Sequence, residues 1–218
     1  MEQTAIGYRV PAIGVRVAAV VLGALVVAGA AQVSIPLPGT PVPMTLQPMA
    51  VLLVGGLLGA RLGALSMILY LAMGAAGLPV FTPTVPLVGI ARLIGPTGGY
   101  LLAYPIAAWV VGRFSDPGRQ PGVKRASMPA QNPVASPVFG DPGLAPGVGT
   151  PLLRVGIGVL VGLVLIHLGG LAQLSILTGD ISSAARLATW PFLLGDVLKL
   201  AILVPVLTKL TPAVRARL

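Results

Sequence analysis

The sequence predicts an all-α membrane protein, a six-transmembrane-helix bundle whose Pro/Gly-rich extracellular loops line a ligand cavity. Three observations carry the membrane and helical parts of that expectation. Of 218 residues, 56% are hydrophobic and only 9% are charged, with a mean hydropathy of +0.96. A soluble domain carries about 25% charged residues, so this chain cannot cover a water-facing surface. Apolar runs recur along almost the whole chain, where a single span needs only ~20 such residues. Aromatic residues make up 5%, and alternating ten-residue segments are absent, which argues against a membrane barrel. Helices are the other structure that satisfies every backbone group in lipid. A soluble enzyme, a disordered protein and a nucleic-acid-binding module are excluded on the same grounds.

The elements follow in order within one integral membrane domain, 1–218. The short polar stretch Met1–Pro11 lacks a small-residue cleavage site, so no cleaved signal peptide is expected. The first span is about 13–33, with Arg16 near enough to its end to snorkel. Small residues at Ala19, Gly23, Ala24 and Ala28 give it a flat strip where another helix can approach closely. Ser34–Pro48 holds five prolines and cannot be a regular helix. Spans at about 49–59 and 63–78 form a short hairpin about the turn Gly59-Ala60-Arg61-Leu62-Gly63, and both are short for a ~30 Å hydrocarbon core. Pro79–Gly95 is a second Pro/Gly-rich connection. The fourth span, about 96–113, opens at Pro96-Thr97-Gly98-Gly99-Tyr100, and proline just inside a helix start is favourable. Residues 115–150 contain seven prolines and six glycines among 36 residues, a composition that predicts a disordered loop. The fifth span is about 151–174, 178–183 is a turn, and the sixth span is about 187–208.

Six spans place both termini on one side. That side holds Arg9, Arg16, Arg61, Arg113, Arg119, Lys124, Arg125, Arg154, Lys209, Arg215 and Arg217, 11 of the 14 basic residues. The positive-inside rule then predicts cytoplasmic termini and a cytoplasmic 4–5 loop in a multi-pass cell-membrane protein. The net charge of +9 is explained by topology and needs no nucleic acid. No cysteine and one histidine leave no thiolate site and no histidine cage for a metal. No Walker-type phosphate loop is present, because Gly95-Pro96-Thr97-Gly98-Gly99 lacks the following Lys-Ser/Thr.

The sixth span contains Asp196 and Lys199. Charges at bilayer depth cost roughly 2.5–3.5 kcal/mol each on insertion scales, and the i, i+3 spacing puts this pair on one helix face. Two readings are open: an ion pair that only locks packing, or a polar ligand site facing the bundle interior. Intramembrane ionisable residues favour the second by default. Non-helical backbone at membrane depth normally lines a cavity, which makes Met44-Thr45-Leu46-Gln47 and Thr97-Gly98-Gly99-Tyr100 candidate contacts. Arg92 either attracts an anionic ligand or sits at the headgroups. His167, with no carboxylate nearby in sequence, reads as a packing or hydrogen-bonded residue rather than a proton carrier. No Ser/His/Asp arrangement can be placed, so no catalytic residue, metal or cofactor is expected.

PVPMTLQPMAVLLVGGLLGARLGALSMILYLAMGAAGLPVF, then GPTGGYLLAYPIAAWVVG and PFLLGDVLKL, together closely resemble the BioY family. These are the biotin-specific membrane components (S components) of energy-coupling-factor transporters. The resemblance covers about 13–114 and 151–208. It implies a bundle that captures biotin from outside and releases it inside, with membrane lipid around it, and with a transmembrane coupling subunit and two ATPase subunits as partners. On this resemblance Asp196 accepts from the ureido N–H groups, and Lys199 either pairs with the carboxylate or holds Asp196. Thr45 and Gln47 come from a lid loop. Thr97, Gly98, Gly99 and Tyr100 line the fourth span, and Phe81, Thr82 and Arg92 belong to the second loop. The strip Ala19, Gly23, Ala24 and Ala28 is a docking face for the coupling subunit. Two features depart from the family pattern: Thr82-Pro83-Thr84-Val85-Pro86 stands where a Gly-rich stretch is common, and the 4–5 loop is long. An S component for a different small vitamin is the alternative; an intramembrane enzyme or a structural scaffold are readings of other classes.

Overall fold

The structure, a computed structural model, describes residues 12–116 and 151–218. The expected disordered loop therefore lies outside the described residues, apart from Ser115 and Asp116. Helix α1 is Ala12–Gln32, and the proline-rich segment after it is pinned by a minimal antiparallel pair, β1 (Ser34–Ile35) and β2 (Met44–Thr45). Helix α2 (Gln47–Leu58) carries Pro48 in its first turn, where the missing N–H costs nothing. Gly59, at φ 87°, reverses the chain into α3 (Ala60–Ala75). The second proline-rich connection leads to the single-turn helix α4 (Ile90–Ile94) and then α5 (Gly98–Phe114). Beyond residue 150 come α6 (Pro151–Thr178), α7 (Ile181–Ala188), a 3-10 turn at Trp190–Phe192, and α8 (Leu193–Arg215).

Among the described residues three helices are long and apolar enough to cross a bilayer on their own: Ile13–Gln32, Pro151–Thr178 and Gly195–Arg215. The 12 residues of α2 reach only about 18 Å at 1.5 Å per residue, well short of a ~30 Å core. The last expected span, 187–208, is divided in the structure. Asp180 caps α7 by accepting from Ser182 N (3.2 Å) and Ser183 N (2.8 Å), so helix resumes two residues after Gly179 where a longer turn is expected. Pro191 then falls in the 3-10 turn, and α8 runs seven residues past the expected end.

Helix α5 is the hub, packed against α6, α3 and α2. Small residues set these approaches, because in lipid close backbone packing replaces the hydrophobic effect as the glue. A Cβ at Gly55 would lie 2.5 Å from Ala108 O, and one at Gly63 2.7 Å from Gly55 Cα. At the α8 end, Arg215 donates to Gly56 O (2.8 Å), Leu57 O (3.3 Å) and Gly112 O (3.0 Å), satisfying the exposed carbonyls where α2 and α5 end. Leu22, Leu65, Ile106, Leu168 and Leu198 are exposed on the outside of the bundle, which is the reverse of a soluble core and fits a lipid solvent.

The small-residue strip of α1 corrects an expectation. Gly23, Ala24 and Ala28 are buried within the chain. A Cβ at Gly23 would stand 2.6 Å from Ser66 Oγ on α3 and 2.9 Å from Val54 on α2. Only Ala19 stays partly open. The strip receives helices of its own chain and is not left free for a partner.

Candidate ligand chamber

The chamber is built from five helices, α2, α4, α5, α6 and α8, together with the 3-10 turn and both proline-rich connections. Helix α8 begins after the 3-10 turn, and the inward face of its first two turns carries Asp196 and Lys199, 7% and 8% exposed. Lys199 Nζ donates to Asp196 Oδ1 at 2.8 Å. His167 Nε2, from α6, lies 2.5 Å from Asp196 Oδ2. His167 is expected as a packing or hydrogen-bonded residue with no carboxylate nearby in sequence, and its partner is remote in sequence: 29 residues of separation along the chain become direct contact where α6 packs against α8. Tyr100 and Phe192 flank the imidazole, with ring centroids 6.1 and 6.2 Å away.

Arg92, on α4, is 1% exposed. Its Nη1 donates to Val85 O (2.5 Å) and Leu87 O (3.3 Å), and its Nη2 to Thr82 O (2.6 Å). The guanidinium thereby ties the second proline-rich connection around itself. Among the described residues no carboxylate pairs with it, and Nε is buried without a hydrogen-bond partner. Arg92 is thus neither at the headgroups nor neutralised.

Asp196, Lys199, His167 and Arg92 all line one partly open hollow whose empty volume is about 600 Å³, open solvent at its mouth included. Its walls stand close together, so most of that envelope lies between side chains. Gln47 and Thr45 line it from the first connection, and Phe81 and Thr82 from the second. Thr97, Tyr100 and Tyr104 line it from α5 and its cap, Leu163 and Ile166 from α6. Gln47 is locked in place: its amide donates to Tyr70 Oη (2.6 Å), which donates to Val80 O (3.2 Å). Thr97 Oγ1 is buried and unpartnered. Tyr100 Oη donates to Ala188 O, just before the turn that opens α8.

Nine of the eleven residues expected at the site are brought together here: Asp196, Lys199, Gln47, Thr45, Thr97, Tyr100, Phe81, Thr82 and Arg92. Gly98 and Gly99 are not on the wall. A Cβ at Gly98 would strike Leu93 O on α4, and one at Gly99 would strike Gly169 O on α6, so Gly98 serves the α4–α5 approach and Gly99 the α5–α6 approach. His167, Tyr104, Leu163, Ile166 and Phe192 line the chamber without having been expected there. A second hollow, lined by Pro36, Thr40 and Pro41 from one proline-rich connection and Thr84, Val85 and Pro86 from the other, shares Pro43 with the chamber wall.

An apolar helical bundle that gathers two cations, one carboxylate and a histidine around one hollow, with leucines and isoleucines exposed on its outside, defines an integral membrane protein with a polar interior chamber. Residues 7–216 match the model of the BioY family, and the chain belongs to that family. The probable biotin transporter BioY of Pyrococcus horikoshii is 48% identical over 82 residues, covering 38% of this chain and 48% of that one. The biotin transporter BioY of Thermotoga maritima is 44% identical over 93 residues, covering 43% and 52%. The matched stretches span about half the length of these relatives. A crystal structure of the S-component for biotin from an ECF-type ABC transporter shares the fold, with a TM-score of 0.68 and 21% identity over 92% of each chain.

Proposed function

We propose that this chain is the high-affinity, biotin-binding membrane subunit of an energy-coupling-factor type vitamin transporter, capturing biotin outside and releasing it inside. The observation that carries the proposal is the orientation of Asp196 and Lys199. They are buried and face the chamber, beside His167 and together with Arg92, and not the lipid. A pair that merely neutralised itself would need neither a hollow nor a further unpaired cation.

The chemistry of biotin fits the wall. Its ureido ring presents two N–H donors and one carbonyl acceptor, its thiophane ring is apolar, and its tail is a carboxylate. Asp196 accepts from the ureido N–H groups. Lys199 is engaged by Asp196 Oδ1, which supports a holding role and leaves Arg92 as the cation for the tail. Arg92 and Lys199 against Asp196 leave one positive charge, the complement of a monoanionic ligand. Phe81, Tyr100, Leu163, Ile166 and Phe192 supply the apolar slot such sites use. The hollow between the proline-rich connections is the route in, with Thr45 and Gln47 on the lid side.

The same reading assigns six spans, with the termini and the 4–5 loop in the cytoplasm. It also assigns a coupling subunit and two ATPases that supply the ATP hydrolysis. Because the α1 strip is filled by α2 and α3, the coupling subunit docks on lipid-facing side chains. The protein is then a transporter subunit and not an enzyme. The test is equilibrium binding of biotin, thiamine and riboflavin to the purified full chain in detergent. Saturable binding of biotin alone, at about 1 µM or tighter (roughly −8 kcal/mol), is expected. Well-folded protein that prefers thiamine or riboflavin, or binds none of the three, refutes the proposal.

A further inference from the structure

We infer that His167 is a positioning residue that fixes the carboxylate of Asp196 for the ligand, an inference that rests on the chamber being the biotin site. An ionised carboxylate offers about four lone-pair sites on its two oxygens. Lys199 Nζ takes one on Oδ1 at 2.8 Å and His167 Nε2 takes one on Oδ2 at 2.5 Å. Each oxygen keeps one lone pair for a ligand N–H, and the group is held from two sides so that it cannot rotate away from the hollow. With Lys199 alone, on the same helix, the carboxylate would keep its freedom about χ2.

Among the described residues the buried Nδ1 of His167 has no hydrogen-bond partner, so the directional contact of the ring is the one that Nε2 makes to Asp196. The neutral ring donating from Nε2 leaves Nδ1 as an unpaired acceptor, whereas any form protonated at Nδ1 buries a donor with no acceptor, the costlier defect next to Lys199. Tyr100 stands edge-on to the ring at 6.1 Å and Phe192 is tilted against it at 6.2 Å. Both are chamber walls, and together they leave the ring one orientation. Because α6 contributes His167 and α8 contributes Asp196, the hydrogen bond also ties the register of those two helices to the geometry of the ligand contact.

The experiment is a calorimetric titration of the purified full chain with biotin, in wild type and in His167→Gln, His167→Asn and His167→Leu, each with its melting temperature. The glutamine amide reaches the position of Nε2 and can still donate to Asp196; the shorter asparagine amide reaches only the position of Nδ1. The expected result is a dissociation constant within about threefold of wild type for glutamine, and a loss of about tenfold or more for both asparagine and leucine, the size of one hydrogen bond to a charged group. Glutamine as weak as leucine, or asparagine as good as glutamine, overturns the inference, because packing alone does not distinguish the two amides by position. If the leucine variant fails to fold, the glutamine–asparagine comparison decides by itself. Wild-type protein that binds no biotin overturns the functional proposal and this inference with it; wild type that binds normally while the two amides behave alike overturns this inference only.

Discussion

Asp196 is held by Lys199 on its own helix and by His167 across from it, and the sequence discloses these two contacts very differently. The i, i+3 pair is legible because helix geometry alone places both side chains on one face. The histidine contact is not, since it depends on which faces of α6 and α8 meet, and no local pattern encodes that. The only hint is that a histidine on an apolar span needs a partner somewhere in the bundle. Arg92 shows the same limit: its position in a loop is legible, its burial under three carbonyls is not. The proposed role of Arg92 as cation for the biotin tail is testable at this scale. Wild type should bind biotin at least about tenfold more tightly than biotin methyl ester, the span of a charge-assisted hydrogen bond, and Arg92→Met should erase most of that preference. Competition binding with the two ligands reads it, and a preference that survives in the methionine variant places the cation elsewhere.

Among the elements, the proline-rich connections and the glycine turn at Gly59 are legible from composition, because proline removes a donor and fixes φ. The break between α7 and α8 sits inside a run that hydropathy reads as one span, at the 3-10 turn that holds Pro191, while α7 itself starts at a cap on Asp180. That cap carries a pH prediction. Hydrogen bonds from Ser183 and Ser182 hold the Asp180 carboxyl well below the usual carboxylate range. A depressed native value stabilises the fold above the unfolded value of about 3.9 and loses that contribution as pH falls below it. Asp180→Ala should therefore lower the melting temperature at pH 7 more than at pH 3; an equal shift at both contradicts the cap. Two aromatic walls are seated on glycines, Phe81 over Gly74 and Tyr100 over Gly170. Gly170→Ala should push Tyr100 off its seat at a cost of about 1–3 kcal/mol of stability, and weaken biotin binding as well. Thermal unfolding together with a titration checks both effects, and an alanine variant that behaves as wild type shows that the ring has room the geometry denies.

For the whole molecule, composition alone reveals the lipid solvent, and the exposed leucines and isoleucines around the bundle agree with it. The small-residue strip on α1 shows why partners are harder to read. Spacing says that something packs closely there, but not whether it belongs to the same chain, and here α2 and α3 occupy it. The family membership of residues 7–216 extends across the 115–150 stretch, and the described residues that line the chamber come from the helices and connections on either side of it. Arg154 Nη2 reaches Asp116 O at 3.5 Å, so the ends of α5 and α6 are already adjacent and a short linker can join them. Replacing 119–148 by a few glycines and serines should leave folding and biotin affinity within about twofold of the full chain, as expected for a change in surface connection length. A large loss of affinity in that shortened chain would assign the stretch a part in binding.

The central claim is that an acid and a base are kept at bilayer depth because a ligand meets them there. Side-by-side calorimetry of wild type and Asp196→Asn with biotin tests it most directly, since asparagine preserves the shape and removes the charge. The account predicts a folded variant whose affinity falls by about 10- to 100-fold, the range of losing a hydrogen bond to a charged group. A folded Asp196→Asn protein that binds biotin as tightly as wild type contradicts it.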